Sequence, residues 1–169
     1  MATMQKITSN LWFNQQAEEA VKFYTTIFKN ASIGRILYYG KEGQEIHSMP
    51  EGSVLTVEFE LEGQTFVALN GGPHFKFSEA ISFIVNCDTQ EEVDYYWHRL
   101  SEGGDEKAQM CGWLKDQYGL SWQIVPRALD DMLADEDKEK ASRVMKAMLQ
   151  MKKIDLEALK QAYDGPVIA

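Results

Sequence analysis

Twice along this chain the apolar rhythm switches from a period of two to a period of three or four and back. That alternation restricts the fold more than any other feature. In the first copy, QKITSNLWF (5–13) is rich in β-branched and aromatic residues and reads as a strand. Ala17, Ala20, Val21, Tyr24, Ile27 and Phe28 then recur at helical spacing, on one face, with Asn14 placed to cap the helix. ASIGRILYYG reads as a strand and KEGQEIHSMPEG as a polar loop. VLTVEFELEG alternates as a half-buried strand, and QTFVALNGG is its hairpin partner across a Glu62-Gly63 turn. In the second copy AISFIVNC (80–87) is the strand. In the helix that follows, Thr89 and Glu92 have capping-box spacing, and Val93, Tyr96, Trp97 and Leu100 share a face. Gly103-Gly104 stops that helix. KAQMCGWLKD and LSWQIVP supply the remaining strands, shorter than in the first copy. Strand, helix and three strands thus occur twice, sharing order more than letters.

The expectation is an α+β fold of two tandem βαβββ units, at about 5–72 and 78–126, in one domain over 1–126. A helical extension covers 127–169. In this tail Ala141, Val144, Met145, Met148 and Leu149 form one stripe, and Leu156, Leu159 and Tyr163 another. Asp155 caps the second and Gly165-Pro166 ends it. A Met-rich stripe suits core packing or a partner helix better than a ligand box. It could pack on its own sheet or cross to a second subunit. The acids of DEDKEKASR lie where a helix dipole favours them.

Composition excludes several function classes. A net charge of -9 over 169 residues argues against nucleic acid or anionic membrane as partner, since both need a cationic surface. Two cysteines, Cys87 and Cys111, are too few for a disulfide scaffold and lack CxxC spacing or a nearby histidine. Buried structural thiols in a reducing, cytoplasmic setting are expected. MATMQKITSN has neither the charged head nor the apolar core of a signal peptide, and no apolar run reaches the length of a membrane span.

ITSNLWFNQQAEEAVKFY, LNGGPHFKFSEAISFIVNC, CGWLKDQYGLSWQIVP and the tail KASRVMKAMLQMKKIDLEALKQAY resemble the PhnB-like branch of the vicinal oxygen chelate superfamily. That superfamily includes glyoxalase I, extradiol dioxygenases and bleomycin-resistance proteins. The branch often carries the name 3-demethylubiquinone methyltransferase. The resemblance runs from Ile7 to Tyr163, and CGWLKDQYGLSWQIVP is its most specific part. It implies strands curled into a half-open mixed sheet, helices outside, a ligand on the concave face, and dimers or fused units.

In glyoxalase I-like members, four inward His, Gln or Glu side chains hold a divalent metal that grips two adjacent substrate oxygens. Counted onto this sequence, the slots fall near Ser9, at Ala68 or Asn70, at Ser82 and at Gln123. None is His, Glu or Asp, and QKITSNLWF and LSWQIV contain no such residue in any register. A hard divalent ion wants anionic oxygen or imidazole. No metal and no cofactor are therefore expected.

The remaining polar groups divide in two. His74, in GGPHFKF, is a candidate pocket-edge donor or base, or else a linker histidine making a structural hydrogen bond. His47 and His98 read as solvated surface. Glu58 and Glu60 alternate on one strand as a wet face. Trp12, Trp113 and Trp122 lie on strands and Trp97 on a helix, where they suit a flat-walled pocket or an ordinary core. Trp122 and Gln123 face opposite ways by parity, and the slot count favours Gln123 as the inward one. The resulting ligand set is Phe13, Asn70, His74, Ser82, Trp113 and Gln123.

The methyltransferase name fits poorly. Doubly wound S-adenosylmethionine enzymes need a Gly-rich strand-to-helix turn, and here FNQQAEEA follows the first strand. The expectation is a metal-independent, homodimeric protein that binds an unidentified small molecule. The alternatives are a lyase, isomerase or dioxygenase of the superfamily, or the named transferase.

Overall fold

A computed structural model describes residues 4–166. They divide into two units, one ending at Phe77 and one beginning at Ser78, each with its own sheet. The first contains β1 (Ser9–Phe13), α1 (Ala17–Ile27), β2 (Ala31–Tyr38), the single turn α2 (Gln44–His47), β3 (Val54–Leu61) and β4 (Gln64–Asn70). The sheet order is β1-β4-β3-β2, with β1 parallel to β4 and the other pairs antiparallel.

Strand alternation sends Leu11, Phe13, Val57, Phe59, Leu61, Phe66 and Ala68 to one face, all buried. Helical spacing presents Ala17, Ala20, Val21, Tyr24 and Ile27 from α1, buried likewise. Tyr24 stacks on Phe59 and Phe59 on Phe66, with ring centroids 6.2 and 5.3 Å apart. Each large side chain so buried is worth about 1.5–3 kcal/mol of transfer free energy. The hairpin turns at Glu62-Gly63 as expected. Both residues have positive φ, 48° and 81°, the backbone of a tight turn that matches strand twist.

The start of α1 departs from the sequence reading. Asn14 does not cap it, and the N-cap residue is Gln16, which makes no side-chain cap bond. The Ala17 N–H instead donates to Asn70 Oδ1 at 2.9 Å, from the end of β4. The cap is therefore tertiary, and local sequence carries no signal of it.

The second unit contains β5 (Ser82–Cys87), α3 (Gln90–Ser101), a 3-10 turn (Glu106–Ala108), β6 (Trp113–Lys115) and β7 (Ser121–Pro126). Three helices follow: α4 (Arg127–Leu133), α5 (Lys138–Met148) and α6 (Leu156–Asp164). The sheet order is β5-β7-β6, with β5 parallel and β6 antiparallel to β7. Thr89 Oγ1 accepts from the Glu92 N–H at 3.2 Å, and the Glu92 carboxylate reaches back to the Asp88 N–H, one residue earlier than in a standard capping box.

Only two strands follow α3, where three were expected. Cys111 and Gly112 both have positive φ, 52° and 84°, and reverse the chain where a strand would run straight. Their N–H groups donate to the carbonyls of Met151 and Lys152, each at 2.8 Å, so the tail supplies the backbone pairing that a strand would have given.

The tail packs within its own unit. Leu129, Val144, Ile154 and Leu159 form a buried cluster against which Val125 of β7, Met148 and Met151 pack. Gln90 of α3 donates to the Ile154 carbonyl at 3.0 Å and accepts from the Leu156 N–H at 2.8 Å. The α5 seam runs through Val144, Ala147 and Met148, so Met145 and Leu149 of the expected stripe face water. Asp137 and Asp155 cap α5 and α6. No helix among the described residues is long and apolar enough to cross a membrane.

Candidate functional site

The outer face of the β5-β7-β6 sheet gathers three of the six expected ligand residues. Register pairs Ser82 with Ser121 and Ile84 with Gln123 across β5 and β7. It also pairs Gln123 with Trp113 and Ser121 with Lys115 across β7 and β6. Alternation then puts Ser82, Ile84, Ser121, Gln123, Trp113 and Lys115 on one face, with Phe83, Val85, Trp122, Ile124 and Leu114 on the other. The second set forms the core with Val93, Tyr96 and Leu100 of α3. On the first face Gln123 Nε2 donates to Ser82 Oγ at 2.9 Å, which confirms that the two side chains share a side. Ser82, Trp113 and Gln123 are half-buried, and Ile84 is exposed.

Behind this face sits a lock that explains the most specific run of the sequence. Asp116, 2% exposed, accepts from the N–H groups of Tyr118 and Leu120 at 2.9 and 3.1 Å. Its other oxygen accepts from Trp122 Nε1 at 2.9 Å. One carboxylate thus shapes the β6–β7 turn and clamps the indole of β7. Gly119, at φ 86°, completes the turn. The letters of DQYGLSW therefore fix the position of β7 and with it Ser121 and Gln123, on the face away from α3. Sequence reading missed Asp116, although an acid, a glycine and a tryptophan at steps of three were visible there.

Two further groups on the face escaped the sequence reading. Ser121 is 1% exposed, and its Oγ has no hydrogen-bond partner among the described residues. Burying an unpaired hydroxyl costs about 1–3 kcal/mol, so its retention calls for an explanation. Lys115 is half-buried and forms an ion pair with Glu79, just ahead of β5. The hydrogen bond from the Lys115 ammonium holds the Glu79 carboxyl below its usual range. Their signal was the pleat: once Gln123 is on the open face, residues two steps away on β7 and opposite on β6 must join it.

The other expected ligand residues lie elsewhere. Phe13, 2% exposed, and Asn70, 6% exposed, face α1 in the core of the first unit. Besides capping α1, Asn70 donates to the Val54 carbonyl at 3.1 Å, and its own carbonyl accepts from the Tyr39 hydroxyl at 2.5 Å. On β1 and β4, Ser9, Ala68 and Asn70 share the helix-facing side, and Asn10, Trp12, Val67 and Leu69 point the other way. Trp12 Nε1 donates to the Gly72 carbonyl at 2.9 Å, and a Cβ at Gly71 would meet its ring at 2.3 Å. His74 is exposed in the loop after β4. His98 is exposed, as expected. His47 is not simply solvated: it is half-buried beside Tyr39, its Nδ1 accepts from the Met49 N–H at 2.9 Å, and its Nε2 lies 3.1 Å from the Glu42 carbonyl.

Cys87 is fully buried, and burial, helped by the charges of Glu92 and Asp88, pushes its thiol up to about 12. Cys111 is half-buried on its turn.

The donor set does not fit the divalent metal of glyoxalase I-like relatives. Two hydroxyls and an amide are weak ligands for a hard cation, and Lys115 on the same face repels one. Among the described residues no three His, Cys, Asp or Glu side chains stand close enough to hold an ion.

Comparison with known proteins follows this geometry. The family model described as 3-demethylubiquinone-9 3-methyltransferase matches residues 5–125. The tail, which resembled the same branch by sequence, lies beyond that match. A solved PhnB protein from Bacillus cereus shares 36% identity over 72% of this chain and 99% of its own, with a TM-score of 0.62. The protein PA1353 from Pseudomonas aeruginosa is 17% identical over 73% of this chain and 98% of its own, at a TM-score of 0.55. The fosfomycin resistance protein FosX from Listeria monocytogenes is 18% identical over 80% of this chain and 100% of its own, at 0.49. No curated protein matches the sequence. With more than half its length inside the family match, and 36% identity to the PhnB protein, the chain belongs to the PhnB-like 3-demethylubiquinone-9 3-methyltransferase family.

Proposed function

We propose that this protein binds a small organic molecule on the outer face of the β5-β7-β6 sheet, by hydrogen bonding and aromatic contact rather than through a resident metal. The observation that carries this is the convergence of Ser82, Gln123 and Trp113 on one half-buried face. An aromatic wall with a few fixed polar groups is the usual make-up of a small-molecule site. Gln123 gives one of its two amide N–H donors to Ser82, which leaves its other N–H and its carbonyl oxygen for a ligand.

The methyltransferase reading has less support. The β1–α1 connection has no glycine, and Asn70 already occupies the Ala17 N–H at the start of α1. That helix end is not open to a cofactor in the manner of a dinucleotide fold. Homodimeric assembly and a cytoplasmic setting belong to the same proposal. Light scattering is expected to give about twice 19.3 kDa.

Benzamide and related flat neutral amides are suitable first probes, titrated against tryptophan fluorescence. Wild type is expected to show saturable quenching that Trp113→Phe abolishes and Gln123→Ala weakens. Unchanged quenching in both variants would move the site elsewhere. S-adenosylmethionine serves as the contrary probe: a rise in melting temperature at millimolar ligand would restore the transferase reading.

A further inference from the structure

We infer that the ligand of this face carries an oxyanion head, of phosphate or carboxylate type, on a flat apolar body; this rests on the binding reading above and narrows it. Strand register lays two rows across the sheet. One is Ser82, Ser121 and Lys115, and the next is Ile84, Gln123 and Trp113. Neighbouring strands stand about 4.8 Å apart, so the first row sets two hydroxyls and an ammonium side by side.

Each member of that row is a donor. Ser82 Oγ accepts from Gln123 Nε2, and no described group accepts the Ser82 hydroxyl proton. The Ser121 hydroxyl is buried without a partner on the same side of the sheet. An oxyanion would satisfy it, and hydrogen bonds to a charged acceptor are the strong kind. Lys115 brings the positive charge and up to three N–H donors.

The second row suits the rest of the molecule. Trp113 and the exposed Ile84 give an apolar wall on either side of Gln123, whose carbonyl oxygen selects a donor on the ligand. Glu79 occupies Lys115 in the free protein. Its side chain is 62% exposed and ahead of the strand, so an arriving anion can displace it into water. Glu79 then acts as a placeholder that weak anions fail to evict.

The full chain can be tested with benzoate, phenyl phosphate, benzamide and inorganic phosphate, by calorimetry and tryptophan fluorescence. Benzoate and phenyl phosphate are expected to bind about tenfold tighter than benzamide, the worth of one charge-assisted hydrogen bond. Lys115→Met should erase that advantage. Ser121→Ala should weaken phenyl phosphate while raising the melting temperature, an outcome that a purely structural serine would not give. Glu79→Gln should tighten both anions and serves as the arm in which folding is least at risk. Benzamide binding as tightly as benzoate, still through Trp113, would overturn the oxyanion row and spare the binding reading. So would anion affinity unchanged in both Lys115→Met and Glu79→Gln. Binding of inorganic phosphate with no ring-bearing probe bound would refute the apolar body and the benzamide-based reading together, and no binding by any probe would refute both proposals outright.

Discussion

The two units answer the same structural problem with different resources. The first closes its core with its own four strands and one helix, and its buried amide, Asn70, is engaged through both side-chain ends. The second has three strands, draws backbone partners from a helical tail, and leaves the buried hydroxyl of Ser121 unpartnered. A polar group tied into the frame serves the fold. A buried polar group without a partner among the described residues, on a face that also carries a lysine and an amide, supports the binding proposal. Asn70 and Ser121 are both buried polar residues, yet only Asn70 is satisfied by the described frame.

That contrast can be broken most forcefully at the tail. Leu159, fully buried in the cluster with Leu129, Val144 and Ile154, should cost about 3–4 kcal/mol as Leu159→Ala. Chemical denaturation should show that loss, and hydrogen exchange should place it in the second unit while α1 stays protected. A uniform loss across both units would mean that they fold as one cooperative body.

Asn70→Ala comes next, at about 2 kcal/mol, because it strips the Ala17 N–H of its cap and the Val54 carbonyl of its donor. Exchange should quicken first at the start of α1. Ser121→Ala has the opposite sign, a gain of about 1 kcal/mol as an unpaired buried hydroxyl disappears. If the two substitutions destabilise equally, the distinction between frame and site fails.

The smallest effect concerns Cys87. Its pKa, about 12 in the folded chain against an ordinary 9.0, is raised. The neutral buried thiol therefore contributes its stability in full below about pH 9, and that contribution is lost as pH rises toward 12. With a thiol reagent at pH 8, the native protein should label once, at Cys111, and twice only after unfolding.

Much of this architecture was legible before any coordinates. The α1 and α3 stripes, the Glu62-Gly63 turn and the Thr89 and Asp155 caps follow from local periodicity and side-chain chemistry, and each stands where those rules put it. What escaped was non-local. Asn14 is a reasonable cap by its letter, yet the cap comes from β4. The missing strand of the second unit depends on two successive positive-φ residues, one of them a cysteine that does not advertise it. For the site, parity correctly separated Trp122 from Gln123, because β7 was read in the right register. Phe13 and Asn70 lie instead on the helix-facing side of β1 and β4, which parity within one strand does not reveal without knowing where α1 packs. Lys115 and Ser121 required knowing which strands are neighbours, and spacing along a single strand does not contain that.

The Asp116 clamp has one more implication. The groups that hold β7 in place, a carboxylate and an indole, lie on the inner side, while those that would touch a ligand alternate with them on the outer side. Neither set borrows atoms from the other. Relatives could exchange one outward side chain for another, and so meet new molecules, while the hidden half of the strand goes on specifying the same turn.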